Sequence, residues 1–255
     1  MRILTAPRAI AALVLREIST ASGRTPGGYI WAPIEPVAAV PLLALVFSLA
    51  FKAPPLGRDF ALFYASGYLP FAFYSDVSQK IGVALRFSRP LMAYPAITWL
   101  DAIFARFLLN SLVNVLVATS VLVTLYYMSG NRPAQIANCA LGFAIVGTFG
   151  LGIGVLNAFL FEIAPVWERL WAIVNKPAFV LSGVLFLPDS VPEPFHGLIW
   201  LNPIVHGISL FRSGIYGGYA PKDADPVFAL FVAAVPLVLG LLLLNRSARD
   251  LLWQN

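Results

Sequence analysis

The chain carries repeated apolar runs of about 20 residues, the length an α-helix needs to cross a hydrocarbon core roughly 30 Å thick. Such runs fall at about 30–51, 60–80, 106–129, 135–160, 170–188 and 226–245. The fifth is interrupted by Lys176 and Pro177. In the bilayer every backbone amide must be satisfied within the segment, so a chain of this kind folds as helices. Composition agrees: 59% of the 255 residues are hydrophobic and 11% charged. A soluble domain carries roughly 25% charged residues. The fold class is therefore an all-α integral membrane protein of six spans. One stretch departs from the pattern. Residues 190–221 are apolar but punctuated by Pro192, Pro194, Pro203 and several glycines. They read as two short half-helices, a hairpin dipping into one face of the membrane.

The few charges report topology. Six spans leave both termini on one side. That side receives twelve of the 17 Lys and Arg residues, among them Arg16, Arg86, Arg89 and Arg106. The positive-inside rule makes it the cytoplasm, so the hairpin faces outward. No composition shift or internal repeat divides the chain, which reads as one domain over 1–255. The segment 7–23, with Pro7 at its start and Gly23 at its end, reads as an amphipathic helix lying in the cytoplasmic interface.

Conventional chemistry is absent. There is no Walker A, H-E-x-x-H or G-x-S-x-G motif. One cysteine, Cys139, and two histidines, His196 and His206, offer no metal set. No catalytic residue is assigned, and no basic stripe suggests nucleic acid. Four features stand out instead. Arg24, Tyr29 and Trp31 flank the turn into the first span, with Glu35 one turn inside. An intramembrane carboxylate needs a partner, and Arg24 or Lys176 could supply it. The second span is aromatic-rich, with Tyr64, Tyr68, Phe71 and Tyr74 among its rings. Such rings either stack on sugars or serve lipid contact and packing. The loop 83–96 is short, basic and apolar. Arg86, Phe87, Arg89, Leu91 and Met92 on it either plug a groove on a cytoplasmic partner or form an interfacial connector. A second cytoplasmic loop runs from Glu162 to Arg169. In the outward hairpin, Asn202, His206, Arg212 and Tyr216 are polar groups at a membrane boundary, and structural hydrogen bonding is their plainest use.

The N-terminal helix with Arg16-Glu17, the Gly28-Tyr29-Ile30-Trp31 turn with Glu35-Pro36, the basic loop after the second span and the Asn202-Pro203-Ile204-Val205-His206 block form a set. It resembles the membrane subunits of type-2 ABC exporters, and within them the capsular-polysaccharide export permeases. Ser209 departs from the pattern, standing about where an acidic residue often follows the block, so no salt bridge to Arg212 carries over. The resemblance implies a homodimer in the bacterial inner membrane with two copies of a separate ATPase subunit. ATP and Mg would bind that partner, and this chain would hold no cofactor. Arg86, Phe87, Arg89, Leu91 and Met92 would lie on the coupling helix. The polysaccharide, lipid-linked and acidic, would pass along Arg24, Tyr29, Trp31, Tyr64, Tyr68, Phe71, Tyr74 and Lys176. Asn202, His206, Arg212 and Tyr216 would form the periplasmic gate. A periplasmic co-polymerase and an outer-membrane exporter would be further partners. The alternatives are an O-antigen, teichoic-acid or small-drug exporter of the same type, or an ATP-independent transporter or scaffold.

Overall fold

A computed structural model describes residues 10–19, 31–92, 97–129 and 135–253, the side chains of 31–33 and 248–253 excepted. Every element among them is helical. In chain order they are α1 (10–19), α2 (Trp31–Ala50), α3 (Phe60–Gly82), α4 (Ala84–Met92), α5 (Trp99–Ser129) and α6 (Ile136–Ile163). Then follow α7 (Pro165–Leu181), a 3-10 turn (Pro188–Ser190), α8 (Phe195–Ile199), α9 (Pro203–Ile215) and α10 (Pro226–Trp253). Three stretches, Trp99–Ser129, Ile136–Ile163 and Pro226–Ser247, are long and apolar enough to cross a membrane, and Ile34–Ala50 is a shorter apolar helix.

Local chemistry sets the helix ends. The Asp59 carboxylate accepts from the Ala61 amide at 2.8 Å and opens α3. Thr98 and Asp101 cap α5 reciprocally: the Thr98 amide donates to Asp101 at 2.8 Å and the Asp101 amide to the Thr98 hydroxyl at 3.3 Å. Gly183 follows α7 at φ +74°, a left-handed position that only glycine adopts at no cost.

α6 is the centre of the bundle, with α3, α9 and α10 packed around it. Its glycines let all three approach. A Cβ at Gly154 would fall 2.7 Å from Ile81 of α3, and one at Gly152 2.7 Å from the Ala233 carbonyl of α10. Gly142 lies against the backbone of Gly207 and Phe211 on α9. Small residues at crossings replace the hydrophobic drive that lipid cannot provide.

Several boundaries differ from the sequence reading. The third run begins at Trp99 rather than 106, because the Thr98–Asp101 cap lies outside the apolar stretch. The fifth occupies Pro165–Leu181 rather than 170–188. Pro165 sits at its first turn, where a missing amide costs nothing, so the segment read as a loop from Glu162 to Arg169 is helix on both sides of Ala164. The segment 190–221 does contain two helices, but very unequal ones of 5 and 13 residues. Every residue of α9 except Leu210 is buried, whereas α7 has no buried residue.

Candidate functional site

On the face that carries α1 and α4, the sequence of α4 turns Ala84, Leu85 and Ser88 inward. Arg86, Phe87 and Pro90 are left exposed, Phe87 at 38%. Leu91 and Met92 are half-buried, and Met92 packs against the core. The two arginines are turned to the α6–α7 junction. Arg86 Nη1 donates to Glu168 Oε2 at 2.9 Å and Nη2 to the Phe161 carbonyl at 3.3 Å. Arg89 Nη2 donates to Glu162 Oε2 at 2.7 Å. These charges therefore fix α4 to its own chain, and Pro90 with the uncovered part of the Phe87 ring is its outward apolar surface.

Behind α4 runs a polar chain that starts at Arg106. Arg106 on α5 is only 4% exposed. Its guanidinium lies 3.3 Å from Glu17 Oε2 of α1, donates to the Lys80 carbonyl of α3 at 2.8 Å, and covers the Phe87 ring at 4.4 Å. Burial raises the Glu17 pKa and the Arg106 charge opposes that rise. From Arg106 the chain continues one helical turn at a time. Asn110 Nδ2 donates to the Arg106 carbonyl at 2.7 Å, and Asn114 Nδ2 to the Asn110 carbonyl and to Asp76 Oδ2, each at 2.9 Å. Asp76 also pairs with Lys80 at 2.9 Å. The signal was present in the sequence as Arg106, Asn110 and Asn114, a polar row at spacing four on an apolar helix.

The aromatic set of α3 divides. Tyr64, Phe71 and Tyr74 are buried within the chain, at 1%, 7% and 3% exposure, so as described they pack rather than line a surface. Tyr74 stacks on Phe149, and Tyr64 lies 4.8 Å from Phe47. Tyr68 is half-exposed, edge-on to Phe179 of α7, and its hydroxyl donates to Glu35 Oε1 at 3.5 Å. Glu35 thus meets a tyrosine and not Lys176, which is exposed on α7. Arg24, Tyr29 and the side chain of Trp31 lie outside the described residues.

At the far end, Asn202 accepts from the Ile204 amide at 3.0 Å, capping α9, and donates to Ser182 at 3.1 Å. His206 accepts from the Asp225 amide at Nδ1 (3.0 Å), so its proton sits on Nε2, 2.6 Å from the Trp200 carbonyl. Arg212 is fully enclosed. Its nitrogens donate to the carbonyls of Gly183 (2.7 Å), Val184 (2.8 Å) and Phe186 (2.9 Å) and to the Ser66 hydroxyl (3.2 Å), over the Phe63 ring. Among the described residues it pairs with no carboxylate. The guanidinium instead collects the carbonyls after α7 and pins them to α3 and α9. Tyr216 closes α9 with its ring against Gly57. The four predicted gate residues thus make hydrogen bonds and ring contacts within the chain. No group of three or more metal-ligating side chains occurs among the described residues.

The polysialic acid transport protein KpsM of Escherichia coli is 27% identical over 246 residues, 95% of each chain. The capsule polysaccharide export inner-membrane protein CtrC of Neisseria meningitidis is 28% identical over 254 residues, 97% of this chain and 94% of that one. The corresponding protein BexB of Haemophilus influenzae is 21% identical over 246 residues, 95% and 92% of the two chains. The family of ABC-2 type transporters matches residues 8–216, and the chain belongs to it.

Proposed function

We propose that the chain is the inner-membrane permease of an ATP-driven exporter of capsular polysaccharide. The observation that carries this reading is end-to-end similarity to capsule-export permeases of three organisms. The buttressed α1–α4–α5 corner supports it physically. A short helix held by ion pairs and offering Phe87 and Pro90 suits docking to a partner that pushes on it. ATP hydrolysis then belongs to a separate subunit, present in two copies on a homodimer of this chain. In this reading α2, α3, α5, α6, α7 and α10 are the six spans, both termini are cytoplasmic, and α8–α9 is the outward hairpin. At 13 residues α9 is about 20 Å long, short of a roughly 30 Å core. An acidic polymer agrees with the named cargo of the E. coli relative. Tyr68 and Lys176 are the side chains that would meet it, and a periplasmic co-polymerase and an outer-membrane exporter would receive it. The test is mild extraction of the tagged chain from capsulated cells. Recovery of an ATPase subunit with Walker A, lost with Phe87→Asp at unchanged permease yield, is the expected result. A permease that purifies without an ATPase and supports capsule display regardless would overturn the reading.

A further inference from the structure

A cleft of about 1070 Å³ opens between α2, the 51–59 connection, the first turn of α3 and the end of α9. It exceeds the roughly 300–1,000 Å³ typical of small-molecule pockets. Its chemistry is graded along α2. Arg58 lines its mouth, and Lys52, outside the lining, follows the end of α2 on the same connection. Both are exposed, and among the described residues neither makes a hydrogen bond or ion pair with the chain. Asp59, the one acid in the lining, turns its carboxylate to the amides of Ala61 and Leu62 at the start of α3. Tyr216 also lines the cleft, with its ring against Gly57 and its hydroxyl buried. Deeper, the α2 wall is Leu45, Ala44 and Pro41, and the single hydroxyl there, Ser48, is satisfied by the Leu45 carbonyl at 2.9 Å. From Ala50 to Pro41 the wall descends about 14 Å, close to half of a roughly 30 Å core.

We infer that this cleft binds an anionic phospholipid, phosphate at the mouth and one acyl chain along α2. A sugar would find no hydrogen-bonding side chain free on the deep wall. A free anion would leave that wall bare. A lipid phosphate meets Arg58 at the mouth, with Lys52 on the same connection, and its chain covers Leu45 and Pro41.

The test uses the full-length protein in detergent with phosphatidylglycerol bearing a photoactivatable acyl chain, against phosphatidylcholine bearing the same chain. Phosphatidylglycerol should label the peptide containing residues 41–48 in preference. Lys52→Ala with Arg58→Ala should lower that labelling by roughly tenfold, the value of one charge-assisted hydrogen bond. Lys52→Arg with Arg58→Lys should retain it. Leu45→Trp, which fills the apolar wall and leaves the charges in place, should lower it as well. Equal labelling by the two lipids, or labelling indifferent to both the double alanine and Leu45→Trp, would overturn the site. Displacement of the lipid by inorganic phosphate alone would overturn its assignment to a lipid. The assay reads binding without transport, so its failure would leave the export reading standing.

Discussion

Arg212→Met removes every donor of the buried guanidinium while keeping much of its volume. Three carbonyls, those of Gly183, Val184 and Phe186, then lose their partner in the protein interior. Each unsatisfied buried group costs about 1–3 kcal/mol, a gross loss of roughly 3–9 kcal/mol. Against this stands the several kcal/mol of desolvation that a buried ion no longer suffers. The balance is a net destabilisation of about 3 kcal/mol. For a chain of this size 1 kcal/mol shifts the midpoint by roughly 2–4 °C, so Arg212→Met should melt about 6–12 °C below wild type. Arg212→Lys keeps a charge but offers donors from a single point, and should fall between the two. The assay is loss of the monodisperse elution peak after stepwise heating in detergent, with Lys222→Met, at an exposed position, as control. A midpoint for Arg212→Met within the control's range would refute the view that this side chain holds α3, α7 and α9 together.

Four further outcomes follow from the same geometry. Arg106→Leu should release α1 from α4. In a Cys139→Ser background, maleimide cross-linking of Leu13→Cys to Leu91→Cys, which line one crevice, should drop severalfold, and unchanged yield would reject the clamp. Arg89→Glu should weaken α4 docking and Glu162→Arg added to it should restore it, with a coupling of about 0.2–1 kcal/mol in a double-mutant cycle, as suits a partly exposed pair. Tyr68→Phe should lower capsule export with no change in melting, while Tyr64→Ala should cost about 3–5 kcal/mol of stability, read by the same heating assay. Gly142→Leu should abolish the folded elution peak, since its side chain has only the α9 backbone to enter.

Run length located the long helices, of which three among the described residues are long and apolar enough to cross a membrane. It located their ends less well. Thr98 and Pro165 begin helices through capping and a dispensable amide, features that hydropathy does not register. α4 was legible as a basic, apolar loop, but which way Arg86 and Arg89 point was not. Their partners Glu162 and Glu168 lie more than 70 positions away. The α3 rings show the same limit. A helical face can be drawn from sequence, yet whether Tyr64 or Tyr68 meets solvent depends on where α2, α6 and α9 stand. The charge pattern places Arg106 at the membrane edge, and its burial beside Phe87 and Glu17 is a tertiary fact.

α7 contributes no buried residue, although it carries Trp167, Asn175 and Lys176. It is held at its edges: Trp167 donates to Asn157 at 3.0 Å, Asn175 to Ser75 at 3.1 Å, Glu168 accepts from Arg86 at 2.9 Å, and Phe179 packs edge-on against Tyr68 and Phe71. A helix with so much of its surface uncovered gains further stability from whatever covers it, and that gain follows mass action. Protein level in the cell should therefore depend on expression dose: solitary chains would be cleared by membrane proteases, and stoichiometric assembly would spare them.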